Sequence, residues 1–204
     1  MLFQGQEFGS TARFLFFADM PESLSKLIRE GRKEFMEQWP SMKTSAMQAI
    51  LNDPGSAETV NLCRVDHSER EKHPEAYRFH CDLIHLKRTD PVLSAMPVGP
   101  VDGAVLSSDS FLVRFFGPDG DDRLLMVNLG KELYLESAPE PLLAPPQGKS
   151  WDEILCTEAP QYGGSGAPDF DREKINWLMP GHCAAFFRPG PLRVAMDIKG
   201  KTSA

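Results

Sequence analysis

The sequence changes character near residue 100, and this change limits the folds that the chain can adopt. Before that point, apolar residues recur at the three- and four-residue spacing of amphipathic helices. After it, short apolar segments alternate with turn residues, which is typical of antiparallel strands. The length of 204 residues suits one or two domains. We therefore expect an α+β chain in which a helical part is followed by an all-β part.

Two helices are predicted in the first half. In residues 21–39 the apolar side chains fall on one face at helical spacing, and Pro40 ends the pattern. Residues 74–88 carry a wider apolar face, which closes at Asp90-Pro91. The intervening residues 41–72 are polar and irregular, so they predict a long connection with room for one short helix.

Two apolar segments near the start of the chain, Met1–Phe3 and Phe14–Ala18, do not alternate with polar residues. A short apolar run without alternation is typical of a strand that is buried on both faces. Each segment is therefore predicted to form a buried strand.

Short strands with regular turn signals follow in the second half. The sequence Gly117-Pro118-Asp119-Gly120-Asp121 lies between two of them and indicates a hairpin. This series predicts an antiparallel sandwich of about 100 residues. The predicted strands are Ala104–Leu106, Phe111–Phe116, Leu124–Val127, Leu133–Leu135, Ile154–Cys156, Ile175–Met179 and Ala184–Phe187.

Charge and composition exclude several classes of partner. The net charge is −7, with 29 acidic and 22 basic residues, which argues against nucleic acid or an anionic membrane as a partner. The sequence shows neither a signal peptide nor an apolar stretch of membrane-spanning length, so a cytoplasmic protein is expected. The cysteines form no C-x-x-C pair and are expected to be buried, reduced thiols without a metal. They are Cys63, Cys81, Cys156 and Cys183.

Several short motifs have a functional and a structural interpretation, and the structural one is favoured for each. Residues 163–166 and 148–150 lack parts of a phosphate-binding loop and are interpreted as turns. His73, His80 and His85 are spaced by seven and five residues, not by the four that places two imidazoles side by side on a helix for a metal. Four aromatic residues could stack on sugars but are more typical of a sandwich core: Trp151, Tyr162, Phe170 and Trp177.

Several segments together resemble the alpha-amylase family, glycoside hydrolase family 13. Residues 1–9, MLFQGQEFG, are similar to the eighth barrel strand of that family and the loop that follows it. Further similarities, to the branch that releases trehalose, follow in family order up to about residue 188. They are residues 14–19, 29–35, 68–71, 82–93, 124–130, 162–166 and 178–181.

The resemblance implies a fold class and a domain organisation. We expect an α+β fragment: the last strand and helix of a (β/α)8 TIM barrel, further helices, and an antiparallel C-terminal sandwich. Residues 1–45 would be the end of the catalytic barrel, and residues 46–92 a connecting segment with a helix. Residues 93–190 would form the C-terminal β-sandwich domain, and residues 191–204 a tail.

The resemblance also implies a chemistry that this chain does not complete by itself. The family's nucleophile, acid/base and third carboxylate lie on the fourth, fifth and seventh strands, so no residue here inherits a catalytic role, and no cofactor or metal is implied. Gln6, Glu7 and Phe8 match a loop beside the sugar cleft, where the family more commonly has Glu for Gln6 and Trp for Phe8. These three residues are the candidates for contact with a malto-oligosaccharide.

Three interpretations of the whole chain follow. The first is an inactive C-terminal portion of a trehalose-releasing glycosidase, with possible self-association through an uncovered barrel surface. The second is a non-catalytic β-sandwich module that binds carbohydrate or has a structural role. The third is part of another enzyme of the amylase family, such as a branching or debranching enzyme.

Overall fold

The structure is a computed structural model that describes residues 2–44, 46–47, 51–95, 99–135, 140–166 and 177–192. The chain divides into two compact units, Met1–Pro74 and Glu75–Ala204. The division falls inside the predicted connecting segment, and the predicted domain boundaries themselves stay predictions.

Four α-helices and seven strands are described. The helices are α1 Glu22–Met36, α2 Ala57–Leu62, α3 Pro74–Thr89 and α4 Pro91–Ser94. The strands are β1 Val101–Ser107, β2 Ser110–Phe115, β3 Arg123–Asn128, β4 Leu133–Leu135, β5 Lys149–Cys156, β6 Trp177–Met179 and β7 Cys183–Pro191.

Both long helices agree with their predictions. Helix α1 follows Pro21, and α3 begins at Pro74. Proline suits the start of a helix because the first N–H groups of a helix make no intrahelical hydrogen bond. Helix α2 lies in the predicted connection, and its N-terminus is capped by the Ser56 hydroxyl, which accepts a hydrogen bond from the Glu58 amide. A short 3-10 helix, His67–Glu71, also forms in this connection.

The two predicted N-terminal strands are not formed. Residues 2–18 contain no strand, and Leu2 and Phe14 are 54% and 72% exposed. A strand requires a neighbouring strand to bond its amides and carbonyls. In the first unit this segment instead donates single bonds to helix and turn carbonyls, from Arg13 to Leu62 at 3.1 Å and from Ala18 to Pro54 at 3.0 Å. The barrel end therefore stays a prediction.

An antiparallel sheet of five strands forms the centre of the second unit, in the order β1-β2-β3-β7-β5. The predicted hairpin is confirmed, because β2 and β3 pair from Ser110–Asn128 to Phe115–Arg123 across the turn after Gly117. Strands β4 and β6 form a separate antiparallel pair. The predicted antiparallel character is confirmed, whereas the complete description as a barrel end followed by a sandwich stays a prediction.

The core of the second unit lies between these two sheets. Leu112, Met126 and Phe187 of the large sheet are at most 1% exposed, and they belong to the same cluster as the fully buried Met179 of β6. Alternation along β2 and β3 buries one face of each strand, and the small sheet contributes to covering it.

The cysteines lead to a labelling experiment. Cys63, Cys156 and Cys183 are buried as expected, but Cys81 is exposed on α3, which corrects the expectation of four buried thiols. The Sγ atoms of Cys156 and Cys183 lie 3.7 Å apart, and their hydrogen bond, together with burial, raises the pKa of Cys156. Because a thiol reagent must reach the sulfur atom, we expect it to modify the exposed Cys81 quickly and the three buried cysteines slowly. Cys81→Ser should remove the fast phase, whereas a fast phase that persists in this variant would contradict the assignment.

Candidate functional site

The three residues predicted to contact sugar lie together in one turn of 3-10 helix, Gln6–Phe8. Gly5 and Gly9 flank this turn with positive φ angles of 74° and 60°. A Cβ atom on Gly5 would lie 2.4 Å from the Cβ of Ser10, so this position accepts no side chain without rearrangement. The two glycines thus give the loop from Gly5 to Gly9 its shape.

The side chains of this loop differ in exposure. Gln6 is exposed, and its Oε1 accepts a hydrogen bond from the Phe3 amide at 3.1 Å. Glu7 is half-buried, whereas Phe8 is fully buried against the ring of His67 and the guanidinium of Arg70. Phe8 therefore supports the loop from inside, and Gln6 and Glu7 face solvent. Sugar contact by the three residues stays a prediction.

Glu69 holds the chain that leaves this loop. Its carboxylate accepts hydrogen bonds from the Ser10 hydroxyl at 2.9 Å, the Thr11 amide at 3.1 Å and the Thr11 hydroxyl at 2.5 Å. These bonds, with the one from the Thr11 hydroxyl foremost, lower the pKa of Glu69. The sequence placed Glu69 in a family-like segment, but only the tertiary structure shows what it bonds, because 58 residues separate it from Thr11.

The lowered pKa of Glu69 predicts a pH dependence of the first unit. A carboxyl whose pKa is lower in the folded state stabilises that state fully above its unfolded pKa, about 4.3 for glutamate. This stabilisation disappears as the pH falls through the folded-state pKa. We expect proteolysis within residues 1–74 to accelerate over this range, and Glu69→Gln to be cleaved faster at neutral pH with a flatter pH profile. The exposed Glu71→Gln is the matched control, and an equal effect from it would contradict the prediction.

A polar groove lies in the second unit, with a volume of about 780 Å³. It is bordered by α3, by the chain around Tyr162 that follows β5, and by the last residues of β7. Aspartates and arginines are interspersed along it. Within the described residues, no group of three His, Cys, Asp or Glu side chains could hold a metal ion.

An ion-pair network around the buried Arg123 forms part of the groove. The Arg123 Nε atom donates to Asp90 at 2.7 Å, and its Nη1 atom donates to the Asp121 carboxylate at 2.8 Å. Hydrogen bonds from Arg123 lower the pKa of Asp121. Because Asp90 also caps α4 by accepting from the Val92 and Leu93 amides, this network joins the helix start to β3. No sequence pattern indicates this pairing.

One of the four aromatic candidates lines the groove. The Tyr162 hydroxyl donates to Asp82 at 2.8 Å, and its ring meets Phe79 edge-on with centroids 5.1 Å apart. Trp151 is instead buried, and its indole N–H donates to the Leu143 carbonyl, in agreement with a core role. Phe170 and the side chain of Trp177 lie outside the described part of the chain.

The glycine-rich segment after Tyr162 is a turn, which confirms the prediction from its sequence. Gly163 has a φ of 84°, and a Cβ on Gly164 would lie 2.2 Å from the backbone of Glu158. The hydroxyl of Ser165 donates to the Glu158 carboxylate at 3.0 Å. The loop therefore folds back onto the end of β5 and fixes the direction of Tyr162.

Comparison with known proteins adds a family and named relatives. Residues 100–172 match a domain of unknown function, DUF3459. The chain is 30% identical over 157 residues to the malto-oligosyltrehalose trehalohydrolase of Brevibacterium helvolum, and 33% identical over 95 residues to that of Deinococcus radiodurans. These matches cover 74% and 46% of this chain but only 25% and 15% of those proteins. The chain thus corresponds to about a quarter or less of these relatives.

Solved structures with a similar fold include an amylase and a variant of a trehalulose synthase. A putative alpha amylase from Salmonella typhimurium has a TM-score of 0.65 at 17% identity, covering 92% of this chain and 27% of its own. A trehalulose synthase mutant has a TM-score of 0.51 at 15% identity, covering 93% and 35%. At these identities the comparison concerns the fold alone. The resemblance to the alpha-amylase family is confirmed.

None of the described helices has the length and hydrophobicity to span a membrane.

Proposed function

Since this chain resembles the malto-oligosyltrehalose trehalohydrolases of the alpha-amylase family, we propose that it is the C-terminal portion of a glycosidase that releases trehalose. The reaction would be hydrolysis of the α-1,4-glucosidic bond next to the trehalose end of a malto-oligosyltrehalose chain. The observation that carries the proposal is the 30% identity over 157 residues to a named trehalohydrolase, which extends through 74% of the chain. We also propose that this glycosidase is located in the cytoplasm.

We propose that residues 1–204 alone do not catalyse this reaction. A retaining glycosidase needs a nucleophile and an acid about 5 Å apart. A barrel active site collects such groups from the C-terminal ends of several strands. The resemblance assigns the catalytic carboxylates to strands before the segment that Met1–Gly9 matches. In the whole protein, Gln6 and Glu7 would face the malto-oligosaccharide from the loop after the eighth strand.

A chimaera tests both statements. The matching segment of the Brevibacterium helvolum trehalohydrolase is replaced by residues 1–204, and trehalose release from malto-oligosyltrehalose is measured by chromatography. We expect release by the chimaera and none above buffer by the 204-residue chain alone. A chimaera with its barrel nucleophile replaced is the control for contaminating activity. A folded chimaera that produces branched glucan instead of trehalose would favour the third interpretation.

A second function, a non-catalytic β-sandwich module, is favoured by one observation. The unit Glu75–Ala204 has its own hydrophobic core and its own polar groove. A module of this kind would act without a barrel in the same chain. Sequencing the gene upstream of Met1 separates the two functions, since seven further barrel strands are expected only for the glycosidase.

We also propose that the first unit self-associates when the 204-residue chain is isolated. Helix α1 has no buried residue, and Leu27, Phe35 and Phe14 are 62%, 53% and 72% exposed. Exposed apolar surface of this kind marks a contact surface or causes association. We expect the sedimentation coefficient to rise with concentration, and Leu27→Glu/Phe35→Glu to lower it toward the monomer value. A concentration-independent monomer would contradict the proposal, and Lys26→Glu/Glu34→Lys is the control on the same helix.

A further inference from the structure

The groove in the second unit has the size of a ligand site. Its volume of about 780 Å³ lies within the range of about 300 to 1,000 Å³ that is typical of small-molecule pockets. Tyr162 and Asp82 line one side, Arg123 with its aspartate partners lies within it, and Asp152 and Arg188 come from the paired strands β5 and β7.

The charges of the groove favour a neutral ligand with many hydroxyl groups. The two carboxylates nearest Arg123 are held by that guanidinium at 2.7 and 2.8 Å, so much of the charge is already balanced inside the protein. Four aspartates against two arginines in the lining disfavour an anion. A sugar hydroxyl donates and accepts at once, so it suits neighbouring carboxylates and guanidinium groups.

Tyr162 gives the groove a fixed aromatic ring. Its hydroxyl donates to Asp82, its ring packs against Phe79 in a T-shaped contact, and the following glycine turn fixes the backbone. The residue is partly exposed and lines the groove. A fixed aromatic ring offers a flat apolar surface at low cost in conformational entropy, and the apolar face of a glucose unit can stack on it.

We propose that this groove binds a segment of an α-1,4-linked malto-oligosaccharide, with a glucose unit stacked on Tyr162 and hydroxyl groups bonded to Asp82 and Arg188. The choice of an α-1,4-glucan rests on the proposed function, whereas the choice of a neutral polyhydroxylated ligand rests on the groove itself. Arg188 is exposed on β7 and is therefore accessible to such a ligand.

The test is titration of the 204-residue chain with maltoheptaose, followed by NMR or calorimetry. We expect saturable binding that Tyr162→Ala weakens about tenfold or more and Arg188→Ala weakens severalfold. Tyr162→Phe keeps the ring and should bind within about threefold of the unmodified chain, since it loses only one hydrogen bond near solvent. Tyr134→Ala, an exposed tyrosine on β4, is the matched control and should bind as the unmodified chain does.

Several results would overturn the proposal. They are no binding up to the solubility limit of maltoheptaose, displacement of the sugar by inorganic phosphate, equal binding of cellohexaose, or equal weakening by Tyr134→Ala. Circular dichroism of each variant excludes unfolding as the cause, and Tyr162→Phe keeps the test valid if Tyr162→Ala does not fold. The chimaera separates this proposal from the proposed function. Trehalose release without maltoheptaose binding would contradict only the proposed sugar site in the groove. Maltoheptaose binding without trehalose release would contradict only the proposed glycosidase function.

Discussion

Replacing Arg123 by methionine is expected to lower the free energy of unfolding of the second unit by about 3–5 kcal/mol. Arg123 is 3% exposed and bonds two carboxylates and two backbone carbonyls. Methionine fills much of the same space but leaves Asp90 buried without its positive partner. The stability loss thus reflects mainly an uncompensated buried charge rather than lost packing. Urea unfolding followed by tryptophan fluorescence measures it, because Trp151 lies in this unit's core.

Two further variants distinguish this explanation from a general sensitivity to mutation. Arg88→Met, on the exposed surface of α3, should change stability by no more than about 0.5 kcal/mol. Adding Asp90→Asn to Arg123→Met should restore part of the loss, because the amide carries no charge. If the double variant is no more stable than Arg123→Met alone, the unpaired charge of Asp90 is not the cause.

Replacing Asn128 by alanine is expected to cost at least about 3 kcal/mol, because several buried groups lose their partner together. Asn128 is 1% exposed at the end of β3. Its Nδ2 atom donates to the carbonyls of Lys131 and Pro180 at 2.7 and 2.8 Å. Its Oδ1 atom accepts from the Ser110 hydroxyl at 2.9 Å and the Gly130 amide at 3.0 Å. One side chain therefore joins β2, the turn after β3 and the segment before β7.

The neighbouring residue provides the control for Asn128. Leu129 is 62% exposed, and Leu129→Ala should leave the midpoint of urea unfolding nearly unchanged. Asn128→Asp keeps the acceptor but loses the two donated bonds, so its stability should fall with a rise in pH as the carboxyl becomes charged and buried. A stability for Asn128→Ala within about 0.5 kcal/mol of the unmodified chain would contradict the role of Asn128.

The secondary structure of the second unit was largely predictable, because its strands carry local signals. Alternating burial and turn residues placed Leu133–Leu135 where β4 lies, and the hairpin between β2 and β3 follows from Gly117–Asp121. The ends were less predictable: β5 begins at Lys149, five residues before the predicted strand. Its paired partner β7 extends it, since Lys149 pairs with Pro191. A pairing partner that lies about 40 residues away leaves no local signal.

The first unit shows where prediction from apolar runs was wrong. Phe14–Ala18 has the composition of a buried strand, but the Ala18 amide bonds the Pro54 carbonyl of a turn, and the side chains of Phe14, Phe16 and Phe17 are exposed. Apolar composition indicates that burial of a segment is favourable, but it does not identify the part of the protein that packs against the segment. A strand also needs a neighbouring strand, and no described residues supply one to this segment.

The sequence by itself determined most of the local elements and the resemblance to a family. The helical spacing of α1 and α3, the antiparallel strands and the ordered family-like segments could all be identified without coordinates, because propensity, periodicity and motif order are properties of neighbouring residues. Only the tertiary structure decided which residues meet. Glu69 with Thr11, Arg123 with Asp90, and Tyr162 with Asp82 are 58, 33 and 80 residues apart. Hydrogen bonds and ion pairs depend on distance in space, and packing alone sets that distance for residues so far apart along the chain.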